Sequence, residues 1–189
     1  MPIEHRTPPT GGTAEIEAHL HAILAGPADA VHRPSEGWEQ IHLAQPHPTF
    51  HMGLQPLVAG AGLDAAEDAG WRYVVFSGET PVGFAFLGHD ADGGPRFDGY
   101  TSGPAAADTI RVLVAAEAHE LAERQPVELR CLVIGALHVN LLWLRGADDH
   151  LFAVHDVEGL RAGEAYTWAE ARDALRARAQ AALDREHLL

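Results

Sequence analysis

Thirteen of the chain's 189 residues are histidine, and His42, His47 and His51 fall together in the run IHLAQPHPTFHMG. Imidazole is the commonest metal ligand, and a set of such ligands around an open position suits zinc or a non-haem iron. Metal-binding histidines sit at short, regular spacings on a strand or a helix, and Pro46 and Pro48 forbid a continuous helix here. A loop is needed to converge the three. His42, His47 and His51 are therefore the candidate metal ligands, with polar loop residues as the competing reading.

Nucleophiles are scarce. Ser35, Ser77 and Ser102 are the serines, and none lies within G-x-S-x-G. Cys131, the one cysteine, shares an alternating face with Val127, Leu129 and Val133, so it reads as a small buried hydrophobe. His138 and His155 are expected on neighbouring strands, and Asp156 follows His155, but consecutive residues of a strand face opposite ways. Asp90-x-Asp92-Gly93 opens like a calcium loop, yet Gly94 and Pro95 follow and the closing glutamate is absent; a turn is the expectation.

The chain contains no lysine. A pyridoxal phosphate Schiff base, a lysine-dependent aldolase, a Walker A loop and the strand lysine of a protein kinase are thereby excluded. Ser102-Gly103-Pro104 opens an expected helix, whose free N–H groups could receive an anion, making Ser102 and Gly103 the cofactor-binding candidates. The strands and helix around it are similar to the acyl-CoA-binding half of acetyltransferases. That resemblance implies an acyl-CoA ligand. However, Pro104-Ala-Ala-Ala-Asp108 lacks the glycine-rich phosphate loop of those enzymes and places a carboxylate in the first turn, so ordinary capping competes.

The elements that would position these residues follow from periodicity. Residues 1–12, with Pro2, Pro8, Pro9, Gly11 and Gly12, predict a flexible N-terminal arm. Ile16, Leu20, Ile23 and Leu24 predict an N-terminal helix ending before Gly26-Pro27. Residues 28–70 form an irregular segment rich in proline and histidine, with one strand expected from Trp38 to Leu43. Two aromatic and β-branched runs, 71–76 and 82–87, predict a hairpin, and 96–101 a third strand. Pro104 opens a helix whose apolar stripe is expected at Ile110, Leu113, Val114, Ala118 and Leu121. Residues 127–134, 137–144 and 151–157 predict two or three more strands, and Thr167-x-x-Glu170 is a capping box for a last helix.

The fold class is α+β: an antiparallel sheet of about five to six strands on two main amphipathic helices, with residues 13–189 as a single domain. The formal charge of −14, from 27 acidic and 13 basic residues, argues against nucleic acid as a partner. No apolar run approaches the roughly 20 residues of a membrane span, so a soluble, cytoplasmic protein is expected. Because no convergent catalytic set emerges, the function expected is a non-enzymatic binding or protein-interaction module, with a protein partner or self-association through a sheet edge or an aromatic patch around Trp38, Trp71 or Trp143. A small-molecule ligand is compatible with it. The alternative is a small enzyme, metal-dependent through the histidines or acyltransferase-like.

Overall fold

The computed structural model describes residues 3–25, 40–119 and 126–186. The elements in chain order are helix α1 (Gly12–Ala25), strand β1 (Ile41–His51), helix α2 (Leu54–Ala59), and strands β2 (Glu67–Ser77), β3 (Thr80–His89) and β4 (Pro95–Ser102). Helix α3 (Ala105–Glu117), strands β5 (Glu128–Ile134), β6 (Val139–Arg145), β7 (His150–Ala153) and β8 (Ala165–Thr167), and helix α4 (Trp168–Glu186) follow.

The fold is α+β, but the sheet is mixed rather than antiparallel. Thr49, Phe50 and His51 of β1 pair in parallel with Cys131, Leu132 and Val133 of β5. Short connections do force antiparallel pairing in β2–β3, β3–β4, β5–β6 and β6–β7, and β8 also pairs antiparallel with β7. A parallel pair needs a long return path, and residues 52–127 supply one between β1 and β5. Eight strands, in the order β4-β3-β2-β1-β5-β6-β7-β8, replace the expected five to six, and the described residues form four α-helices.

The uncounted strands are those whose sequence hides them. Strand β1 runs through Pro46 and Pro48; Gln45, at φ 50°, breaks its regular course, and the ladder to β5 begins only at Thr49, past both prolines. Strand β8 has three residues. Of the strand expected from Trp38 to Leu43, Ile41–Leu43 open β1, and Trp38 lies outside the described residues.

The chain divides into two compact units. The first comprises Met1–Arg6, Thr49–Ala69 and Arg111–Leu189; the second comprises Thr7–Pro48 and Gly70–Ile110. In the first unit, alternation on β5 and β6 sends side chains to two faces. Leu132, Ile134, Leu141 and Trp143 join Phe50, Leu54 and Leu57 in a core against Ala171, Leu175 and Ala179 of α4. Leu129, Leu142, Leu144 and Phe152 pack on the opposite side against Val112, Leu113 and Ala116 of α3. The capping box forms as its spacing predicts: Thr167 N–H donates to Glu170 Oε2 at 2.8 Å, and Glu170 N–H donates to Thr167 Oγ1 at 3.3 Å. Within the segment expected as an arm, Glu4 N–H donates to the Val127 carbonyl at 2.8 Å, and Leu129 N–H donates to the Glu4 carbonyl at 3.2 Å.

In the second unit, Ile16 and Leu20 of α1 cover Trp71, Tyr73, Val75, Ala85 and Leu87. The other face holds Val74, Phe84 and Ala106. Gly70, at φ 88°, is required by close approach, since a Cβ there would lie 2.2 Å from the Leu87 carbonyl oxygen. The Asp90 segment is a turn: Asp90 Oδ1 accepts the N–H groups of Asp92 at 2.9 Å and Gly94 at 2.7 Å.

Of the stripe expected on α3, Leu113 is buried and Ile110 half-buried, whereas Val114 and Ala118 are exposed and Leu121 lies outside the described residues. Ala106, Thr109, Val112, Leu113 and Ala116 are buried, while Val114 is 61% exposed. Small residues allow the helix to lie close, and they carry little hydrophobic signal in a sequence.

Candidate functional site

The best-developed polar arrangement lies in the first unit, at one end of β5 and β6. Glu128 and Arg130 stand two apart on β5 and so share a face. Antiparallel register sets Arg145 opposite Glu128 and Trp143 opposite Arg130. Arg130 is buried, at 7% exposure, and Glu128 holds one edge of its guanidinium: Nε donates to Oε1 at 3.0 Å and Nη2 to Oε2 at 2.9 Å. The guanidinium carbon lies 4.6 Å from the Phe50 ring centroid and 5.0 Å from that of Trp143. Phe50 and Trp143 meet edge to face at 5.5 Å. A charge removed from water is thus compensated by a bidentate carboxylate and by two ring faces.

The turn after β6 fixes the second ring. Trp143 Nε1 donates to Asp149 Oδ1 at 3.0 Å, and Gly146 N–H donates to the same oxygen at 3.3 Å. Phe50, Arg130, Trp143 and Asp149 wall a cleft of about 390 Å³, completed by Arg145 and by Leu63, Asp64 and Ala66 from the connection between α2 and β2. Arg145 and Asp64 are exposed, and neither side chain has a hydrogen bond or ion pair among the described residues. The lining contains no serine, cysteine, histidine or lysine. The arrangement offers charged hydrogen-bonding groups beside aromatic walls.

The histidines singled out by spacing all lie on β1. His42 is exposed and stacks on Phe76 at 5.3 Å, His47 is fully buried, and His51 is exposed at the strand's end. A strand advances about 3.3 Å per residue, which spreads the three along the element. Among the described residues no three His, Cys, Asp or Glu side chains come together to hold a metal. Ser102 is exposed at the end of β4; Gly103 N–H is engaged with the Val82 carbonyl at 3.1 Å, and Asp108 occupies the first turn of α3. That N–H is not turned to an anion. His155 meets the backbone of His138, its Nε2 lying 3.0 Å from the His138 carbonyl. Cys131 is buried, and so are Trp71 and Trp143, which form no exposed aromatic patch.

Shifted titrations lie outside the cleft. Burial raises the Tyr73 phenol, with the Thr13 side chain acting against it, and burial raises that of Tyr100. The Glu170 carboxyl is lowered by the backbone N–H and then the side chain of Thr167.

The cleft was within reach of the sequence at one point. Glu128-x-Arg130 and Trp143-x-Arg145 each place two functional side chains on one face of a strand. What joins them is the β5–β6 register, which spacing alone does not fix. Comparison with protein-family models, with curated proteins and with solved structures finds no match.

Proposed function

We propose that the chain is a non-enzymatic protein-interaction module whose recognition surface is the arginine cleft of the first unit. The observation that carries this reading is Arg130, pinned between Phe50 and Trp143 and held by Glu128 at the wall of an open cleft. Side chains locked before a ligand arrives lose little entropy on binding, and buried aromatic and arginine residues are the usual anchors of interfaces. Val114 is the exposed large hydrophobic side chain among the described residues, so a broad apolar contact has little to build on.

An array of short random peptides, capped at both ends, tests the reading. The native protein is expected to retain a subset of them, and both Arg130→Gln and Arg145→Ala are expected to weaken that binding. Arg145 is exposed, so its substitution should leave the melting temperature unchanged and separate lost recognition from lost folding. Retention of no peptide, or binding indifferent to both substitutions, would sink the proposal.

A further inference from the structure

We infer that the segment received by the cleft is amphoteric: an acidic side chain enters against Arg130 and Arg145, and a neighbouring basic side chain meets Asp64. This rests on the reading of the cleft as a docking surface and adds the chemistry of its partner.

A guanidinium offers five N–H donors along its edges. Glu128 takes the edge of Arg130 formed by Nε and Nη2. Nη1 makes no hydrogen bond among the described residues, so the edge formed by Nη1 and Nη2 is left for an external acceptor, and the flanking rings keep it from swinging away. Arg145, across the ladder from Glu128, is a second cation without a described anion. Planar, bidentate recognition of this kind suits a carboxylate.

The cleft also excludes ligands of a single sign. Asp64 and Asp149 line the same space, so a phosphate or a run of carboxylates would meet two negative groups. A purely cationic ligand would face Arg130 and Arg145. Asp149 already accepts two hydrogen bonds, whereas Asp64 accepts none among the described residues and is the natural partner for a cation. A ligand carrying both charges satisfies both walls and is penalised if either charge is missing. The net charge of −14 adds a long-range bias against wholly acidic partners.

Titration of the isotope-labelled full chain by NMR, following Arg130 Nε–H and Trp143 Nε1–H, tests this. The probes are the capped peptide Ala-Glu-Ala-Arg-Ala and its two variants in which Gln replaces either Glu or Arg. Alternate positions of an extended segment share one side, so both charges of the first peptide can enter together. Saturable shifts at both protons are expected, with binding weakened about fivefold or more by loss of the glutamate, the scale of a charge-assisted hydrogen bond. Loss of the peptide arginine should weaken binding to the native protein but not to Asp64→Asn, and Arg145→Ala should remove the preference for glutamate. Equal binding by all three peptides overturns the amphoteric inference while leaving the docking reading in place, whereas silence toward these peptides and toward the random array overturns both. Equivalent shifts with free glutamate and arginine would make the ligand a small molecule and overturn the peptide assignment.

Discussion

Two buried arginines, one in each unit, meet opposite electrostatic fates. Arg130 has its bidentate carboxylate. Arg72, in the second unit, is 2% exposed and lies 4.4 Å over the Phe84 ring, but its Nε and Nη2 have no hydrogen-bond partner among the described residues. A desolvated cation–π contact contributes about 2 kcal/mol, whereas each unsatisfied charged donor costs about that or more. The same substitution should therefore have opposite signs at the two sites. Arg72→Met is expected to raise stability by about 1–2 kcal/mol, because it replaces an uncompensated charge with a flexible apolar chain. Arg130→Met should lower it by about 1–3 kcal/mol, discounted because the Glu128 side chain left behind is 26% exposed. Urea midpoints at unchanged m-value would measure both, and matching signs would refute the distinction.

At the scale of elements, α4 depends on its first turn. Thr167→Ala is expected to cost about 1 kcal/mol in chemical denaturation, since it removes the oxygen that satisfies Glu170 N–H. The lowered Glu170 carboxyl gives this cap a pH signature. A group whose folded pKa lies below its unfolded value stabilises at neutral pH, and that contribution fades as pH falls through the folded pKa. Stability of the native chain should decline more steeply below the ordinary carboxylate range than that of Glu170→Gln; parallel acid profiles would count against the cap. The Tyr73 phenol has the opposite sense. Its raised pKa means that burial stabilises below the ordinary phenol range and that the contribution is lost as pH rises through the folded value. Tyrosinate absorbance during alkaline titration should rise together with unfolding, and Tyr73→Phe should delay it. The cap of α4 was legible because Thr167 and Glu170 interact within one turn and the apolar residues behind them keep one period. Strand β1 was legible only over Ile41–Leu43, because Pro46 and Pro48 argue against a ladder that begins only at Thr49. The α3 face was obscured by Ala106 and Thr109, whose burial is set by the sheet beneath. The cleft lies on the other face of β5: Leu129 and Cys131 dominate the alternation, while Glu128 and Arg130 acquire their meaning only beside Trp143 and Arg145.

For the molecule as a whole, 27 acidic residues against 13 arginines set the behaviour toward other macromolecules. The protein should pass through a heparin column without retention at low salt, and its solubility should be least near its sequence pI of about 5.2, where net repulsion vanishes. Retention that declines with salt would instead expose a cationic surface outside the described elements. No described helix is long and apolar enough to cross a membrane. The interleaving of the two units along the chain also orders their synthesis. Every segment of the second unit has been made once Ile110 is added, whereas the first unit still lacks β5 to β8 and α4. Chains emerge at about 5–20 residues per second, so the remaining stretch takes several seconds to translate. During that interval Phe50 waits on the ribosome for the strands that carry Arg130 and Trp143, and the cleft comes into being only after β6 has been made.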